Sequence, residues 1–551
     1  MPDLPIPAVP RVRYQWAARG DVNAFFGLML DNLSDMILMT SLLVGVFGMP
    51  AGFVMGRMIP GTAVGVMVGD LFYTAMAFGL ARRGGRPNVT AMPLGLDTPS
   101  TFGTVFLVLG PAFVEATRRG LAPEAAAKHA WFLGIAMILA SGLFKLACAP
   151  LSGLLRRVLP RAGLLGSLTA IALVIISFLP LLEVAGSPVA GMVALAVILA
   201  TLTARWELPG RIPGALGAVL VGGAISYTMG WALATATGPA AETWALRPAL
   251  PLPIAEWLAW LRDNGTEALR YLPVTIPLAL ATVVGGIDCA ESASAAGDDY
   301  PTGLIIAAEG VATLVGGVFG GVIQSTPYIG HPAYKAMGAR AAYTLAVALF
   351  VGGAGVFGYF QWLFLLLPRA AVFPILIFVG LEITAQSFRA TPRRHYPALA
   401  LACVPALAYL ASILLNRIVR GAGLPFSGYG PETQVWLQTI TILSGGFLLT
   451  SLIWGTSLAW MIDGRMRAAA SAFALAGVLA LFGVIHSPLP SGPILAPWSA
   501  LRELKAQGRA AATADQTPYH WAGAYLAVAA VLAAIGRFGR PPAADVDPGD
   551  G

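Results

Sequence analysis

Long apolar runs broken by short polar loops recur along almost the whole of this 551-residue chain. A membrane-spanning helix needs about 20 apolar residues, and about sixteen windows approach that pattern. The first seven lie at roughly 23–47, 53–80, 91–113, 129–150, 162–184, 187–204 and 213–236. Seven more lie at roughly 273–297, 302–320, 322–338, 341–367, 370–388, 396–416 and 434–461. Two further runs follow near 467–486 and 520–537. The runs do not alternate polar and apolar positions, which excludes a transmembrane β-barrel. Between the two sets of seven lies a polar stretch with Trp244, Trp257 and Trp260. Its piece "PIAEWLAWLRD" predicts an amphipathic helix at the membrane surface.

Seven spans, a break and seven more predict an internal repeat. An odd number per half forces the second half to insert upside down, and inverted repeats of this kind mark secondary transporters. The expected fold is therefore an all-α polytopic membrane protein with a 7+7 inverted repeat, plus two C-terminal helices.

Two spans break the apolar pattern. The third reads "NVTAMPLGLDTPSTFGTVFLVLGP" and the tenth reads "GGVIQSTPYIGHPAYKAMG". They share a local motif, Asp97-Thr98-Pro99 in one and Ser325-Thr326-Pro327 in the other. Asp, Ser and Thr cap helix N-termini, and proline fits the first helical turn. Extended pieces precede each motif, Ala91 to Leu96 and Gly321 to Gln324. The pattern predicts a strand and a half-helix, twice. Irregular backbone at membrane depth is tolerated only when buried in protein or lining a cavity. The starts of both half-helices are expected to offer N–H groups to one mid-membrane site.

Acidic residues inside the spans add candidate chemistry, since an ionisable group in a membrane is costly. Asp288 and Glu291 are spaced i, i+3 on one face of the eighth segment. Gly285, Gly286, Ala290, Ser292, Ala293 and Ser294 surround them, leaving room for a ligand. Asp31 and Asp35 form an i, i+4 pair in "LMLDNLSDMIL", and Asp70 and Glu309 lie in segments two and nine. Asp298 and Asp299 read as a solvated turn before Tyr300-Pro301. A buried acid that gains and loses a proton is the simplest coupling device for a proton-driven carrier. The candidate coupling groups are Glu291, Asp288, His331 and Asp31.

Composition agrees with a membrane protein. Only 11% of residues are charged and the mean hydropathy is +0.75, against roughly 25% charged in soluble proteins. The net charge of +7 reflects arginines at loop ends rather than a nucleic-acid surface. "ARRGGRP", "LLRRVLPR", "TPRRH" and "DGRMR" follow even-numbered segments and place both termini in the cytoplasm; "TRRG" at Thr117 runs against this. The expected location is the bacterial inner membrane. Cys148, Cys289 and Cys403 lie in apolar segments without CxxC spacing and read as small buried residues. No HExxH or GxSxG motif and no metal-spaced His/Cys cluster is present, so an enzyme, a metal and a cofactor are not expected.

The run "AESASAAGDDYPTGLIIAAEGVATLVGGVFGGVIQSTPYIG" resembles the nucleobase–ascorbate transporter family, also called nucleobase:cation symporter-2. Its xanthine/uracil/vitamin C and purine permease branches are the most similar. The resemblance implies core parts over 23–150 and 272–367 and gate parts over 151–238 and 368–461. A cytoplasmic tail over 1–22, an extracytoplasmic linker over 239–271 and a C-terminal pair over 462–551 complete the expected order. It also implies a homodimer with an elevator-like motion and substrate held between the third and tenth segments. Glu291 matches the family's "ES" acid, and Asp288 is the rival match. Where many members carry a second Glu or Gln, this chain has Ile329 or Gly330, with His331 beside them.

The leading expectation is a symporter that imports a nucleobase such as xanthine or uracil, coupled to protons or sodium. Its substrate-binding candidates are Glu291, Asp288, Gln324, Ser325, Thr326, Tyr328, Asp97, Thr98 and Phe102, with Tyr328 or Phe102 able to stack on a ring. The alternative keeps the fold and changes the ligand to an anion of the sulfate or bicarbonate type. Facing helix N-termini suit an anion, whereas ionised Asp288 and Glu291 repel one.

Overall fold

A computed structural model describes residues 14–153, 161–230, 250–328, 330–422, 426–490 and 494–539. The N-terminal residues to 13, Trp244, Ile329 and most of the "LLRRVLPR" loop lie outside the described residues.

The apolar runs form helices. The first half comprises α1 (Gly20–Gly45), α2 (Ala51–Gly84), strand β1 (Leu94–Leu96), α3 (Thr98–Arg118), α4 (Pro123–Leu151), α5 (Leu165–Gly186), α6 (Pro188–Thr203) and α7 (Gly214–Thr228). The amphipathic helix α8 (Ile254–Leu269) follows. The second half comprises α9 (Leu272–Ala295), α10 (Thr302–Val318), β2 (Ser325–Pro327), α11 (His331–Ala336), α12 (Ala342–Val356), α13 (Phe360–Leu366), α14 (Arg369–Ala390), α15 (Arg393–Asn416), α16 (Pro431–Ser444) and α17 (Phe447–Ile462). α18 (Met466–Leu481), α19 (Pro497–Ala506) and α20 (Ala511–Phe538) close the chain.

Among the described residues nine helices are long and apolar enough to cross a membrane, or eleven if each bent pair is one span. The bent pairs are α12 with α13, at 97°, and α16 with α17, at 69°. The tenth run is not a span at all: it holds β2 and the six-residue α11. α8 is amphipathic as expected and rests on α4. Trp257 Nε1 donates to the Phe132 carbonyl at 3.0 Å, and Trp260 Nε1 donates to His129 Nδ1 at 3.1 Å.

The chain divides into two compact units, one of Met1–Ser152 with Pro180–Phe378 and one of Gly153–Leu179 with Val379–Gly551. The helices over 188–228 belong to the first unit, and the C-terminal helices belong to the second.

Within the second unit the C-terminal residues cover a break. The α16–α17 pair bends at Gly445–Gly446, where φ of Gly446 is +67°. A bend inside a span frees backbone groups that lipid cannot satisfy. The segment after α18 satisfies them. The His486 N–H donates to the Gly445 carbonyl at 2.8 Å, and Gln438 Nε2 donates to the Pro488 carbonyl at 2.7 Å. His486 Nε2 lies 2.6 Å from the Tyr525 hydroxyl, and the Trp521 ring stacks on the imidazole with centroids 4.1 Å apart. The approach is close: a Cβ on Gly446 would sit 2.3 Å from the Val484 carbonyl oxygen. Gly446→Val is therefore expected to cost about 2–4 kcal/mol through strain and overpacking. Thermal unfolding of the purified variant in detergent measures the loss, and an unchanged midpoint would refute the plugged break.

Candidate functional site

The site is built in the first unit around β1 and β2. They pair antiparallel, with Leu94 opposite Pro327, Gly95 opposite Thr326 and Leu96 opposite Ser325. Two further bonds extend the pair symmetrically: the Asp97 N–H donates to the Gln324 carbonyl at 3.0 Å, and the Tyr328 N–H donates to the Pro93 carbonyl at 2.8 Å. A local two-fold axis therefore passes between Gly95 and Thr326 and makes Asp97 the counterpart of Tyr328.

This corrects the reading of the tenth segment. The extended stretch was expected at Gly321 to Gln324 and the half-helix cap at Ser325-Thr326-Pro327. Instead Ser325–Pro327 is the strand, and the helix starts at His331. In the third segment the expectation holds: Asp97 caps α3, accepting the Ser100 N–H at 3.1 Å, with Pro99 in the first turn. The two Thr-Pro pairs are alike in sequence and unlike in position. Pro99 sits where a helix leaves its N–H free. Pro327 sits where the strand's N–H points away from its partner.

A two-stranded sheet has two open edges, and in this register Leu94, Leu96, Ser325 and Pro327 turn their backbone groups outward. Side chains fill them. On the β1 edge, the Leu94 N–H donates to Asp70 Oδ1 at 3.1 Å and the Leu96 N–H donates to Asn32 Oδ1 at 3.0 Å. Asn32 Nδ2 donates to the Leu94 carbonyl at 3.4 Å. On the β2 edge, the Ser325 N–H donates to Thr313 Oγ1 at 3.2 Å. Lys145 Nζ donates to the Ser325 carbonyl at 2.8 Å, and Cys289 Sγ reaches the Pro327 carbonyl at 3.5 Å.

Gln324, Ser100 and Asp97 form a buried network at one end of the pair. Ser141 Oγ is 2.5 Å from Gln324 Oε1. Gln324 Nε2 donates to Ser100 Oγ, and Ser100 Oγ donates to Asp97 Oδ2. Thr98 Oγ1 donates to Asp35 Oδ2 at 2.9 Å. Asp31 lies over the face of the strand pair that carries Gly95, where a Cβ would meet its Oδ2 at 3.5 Å and the Tyr328 ring at 3.7 Å. Asp31 Oδ1, Asp35 Oδ1 and Asp70 Oδ2 accept no hydrogen bond among the described residues.

The other expected residues fall into two groups. Thr326, Tyr328, Asp288 and Glu291 are half-buried, Tyr328 stacking on Tyr334 with centroids 6.0 Å apart. Phe102 is buried and stacks on Phe106 at 6.3 Å. His331 turns from the strand pair to Asp298, whose Oδ2 lies 3.3 Å from its Nε2, with the Thr90 carbonyl at 3.2 Å. Asp298 is not a solvated turn: it is 1% exposed, accepts the Thr90 N–H at 3.0 Å and pairs with Lys335 Nζ at 2.6 Å. Burial opposes its charge, yet bonds from His331, Lys335 and the Thr90 amide outweigh that and hold the carboxyl below its usual range.

Sequence reasoning missed Lys145, Asn32, Ser141 and Thr313. Lys145 is fully buried and lies 2.6 Å from Glu309 Oε1, itself fully buried. The signal was present, a lysine inside the apolar run "SGLFKLACAP". Asp31, Asp35, Asp70, Asp97 and Glu309 are all buried, against the one ammonium of Lys145 in this cluster. Several uncompensated charges in a low-dielectric interior are costly.

No family model and no curated protein matches this chain. Solved structures do. SLC26A9 aligns over 83% of this chain and 67% of its own, with 12% identity and a TM-score of 0.50. This chain shares its fold. The transmembrane domain of BicA, a cyanobacterial bicarbonate transporter, aligns over 73% of this chain and 96% of its own, with 18% identity and a TM-score of 0.44. Murine Slc26a9, an anion transporter in the inward-facing state, aligns over 72% and 66%, with 15% identity and a TM-score of 0.44. The 7+7 inverted-repeat transporter fold expected from the sequence is thus the fold observed. The resemblance to nucleobase–ascorbate transporters is overturned: the solved structure whose fold this chain shares is SLC26A9. The motifs behind it, small residues around Glu291 and an interrupted tenth segment, report helix packing and chain breaks rather than the ligand.

Asn32 carries the β1 edge on two contacts. Asn32→Leu is expected to cost about 2–5 kcal/mol by leaving the Leu96 N–H and Leu94 carbonyl unpaired. A thermal-unfolding midpoint equal to the parent's would show that the edge is satisfied in another way.

Proposed function

We propose that this protein is a secondary transporter of a small inorganic anion. The observation that carries the reading is the fold shared with SLC26A9 over 83% of the chain. Bicarbonate and other small oxyanions or halides are the candidate substrates.

The anion meets the face of the strand pair that carries Gly95, Thr326 and Tyr328. Thr326 and Tyr328 are its half-buried members, and their hydroxyl groups are hydrogen-bond donors of the kind a desolvated anion needs. Asp97 already takes the Ser100 amide at the start of α3. The anion therefore binds against the strands rather than on a bare helix end. Asp288 and Glu291 lie half-buried on α9. Proton uptake drives accumulation.

Transport proceeds in a homodimer by an elevator-type movement, in a cytoplasmic membrane with both termini inside. Arg82 and Arg83 at the end of α2, Arg393 and Arg394 at the start of α15 and Arg465 after α17 support that orientation.

Reconstituted protein tests the reading. Radiolabelled bicarbonate, sulfate or chloride is expected to enter proteoliposomes in a protein-dependent way, faster with an inward proton gradient, and uracil and xanthine are expected not to compete. If none of the three anions enters above the protein-free level, the reading fails.

A further inference from the structure

Two fully buried, oppositely charged groups of the first unit lie outside the expected binding set. Lys145 on α4 and Glu309 on α10 have no exposed side-chain surface and sit 2.6 Å apart. The same ammonium donates to the Ser325 carbonyl at 2.8 Å. One ion pair therefore touches β2 at the residue before Thr326.

The remaining groups that face Glu309 are few. Tyr73 comes from α2, Thr282 and Cys289 from α9, and Asp97 from the start of α3, while Asp70 faces Tyr73. Thr313 on its own helix bonds β2 instead, its hydroxyl taking the Ser325 N–H. α9 approaches closely, since a Cβ on Gly286 would lie 3.0 Å from Glu309 Oε2. Within this set Lys145 is the single cation, and the other charged members are acids. Glu309 is the acid in direct contact with the ammonium, at 2.6 Å, and Asp97 acts on it from further away.

We propose that Glu309 is a proton-binding site that masks and unmasks Lys145, and that the unmasked ammonium gives the strand pair its affinity for an anion. With Glu309 ionised the pair is neutral and the strand carries no net attraction. A proton taken up on the Glu309 carboxylate cancels its charge and leaves Lys145 uncompensated behind Ser325. Its field then acts across one strand in a low-dielectric interior, where it is weakly screened. One proton and one monovalent anion enter together, so the loaded site carries the same net charge as the empty one. Loss of the proton restores the ion pair and releases the anion. This coupling rests on the anion reading above.

A buried pair held for structure alone behaves differently. Removing one partner leaves a buried charge and destabilises the protein, whereas removing both is often neutral. Glu309→Gln keeps an acceptor for Lys145 without the charge. The parent, E309Q, K145M and the double variant K145M/E309Q are reconstituted, and chloride and sulfate uptake is followed as pH is raised. Thermal unfolding and monodispersity of each variant check folding. Parent uptake is expected to fall with rising pH. E309Q is expected to lose that dependence and the acceleration by a proton gradient. K145M and the folded double variant are expected to raise the half-saturating anion concentration by about tenfold or more.

A folded E309Q that keeps the parental pH profile overturns the coupling role. A folded double variant with parental affinity and pH dependence shows that the pair is structural only, and also overturns it. A parent that carries neither of these anions, nor bicarbonate, at any pH removes the anion reading itself, and this mechanism with it.

Discussion

An isolated strand pair inside a membrane has two edges and no water to satisfy them. That constraint organises the first unit. Each outward N–H or C=O of Leu94, Leu96 and Ser325, and the carbonyl of Pro327, demands a side chain from a neighbouring helix. α1 sends Asn32, α2 sends Asp70, α4 sends Lys145, α9 sends Cys289 and α10 sends Thr313. Leu96 itself has only its N–H described in such a bond. The strands are three residues long, yet they fix which faces of five helices must carry polar groups. Much of the buried polarity of this unit is thus a consequence of having a sheet there at all.

The same demand mixes structure and chemistry in single residues. Asp70 and Lys145 hold backbone and are also ionisable groups. Lys145 is the clearer case, because one ammonium serves both a strand carbonyl and the Glu309 carboxylate. A neutral donor would satisfy the carbonyl equally well. The use of a charged one, with its own buried counter-ion, is an expense in desolvation that edge-capping alone does not explain.

The sequence made the helical spans, the inverted repeat and the break at Asp97-Thr98-Pro99 legible, since apolar length and an N-cap followed by proline are local signals. It misplaced the second break because Thr-Pro has two physical uses. Proline starts a helix at Pro99 and ends a strand edge at Pro327, and only the pairing of two strands distant in sequence tells them apart. Lys145 escaped because a lone lysine in an apolar run resembles one that reaches for the surface. Asp298 was misread because Asp-Asp-Tyr-Pro has the composition of a turn, while its partners Thr90, His331 and Lys335 come from distant parts of the chain. The ligand was least legible. Small residues around Glu291 record close helix packing, which carriers of unlike substrates on one architecture share.

The two-fold axis between Gly95 and Thr326 has a further meaning for whatever lies on it. The backbone on either side is nearly equivalent, so geometry alone offers a molecule two opposed poses. The side chains remove that degeneracy: Asp97 stands on one side and Tyr328 on the other, glycine faces threonine, and one strand alone is backed by an ammonium. A symmetric scaffold thereby becomes a polar one, with a direction along which charge is favoured. A molecule on that axis would find its orientation set by chemistry rather than by shape.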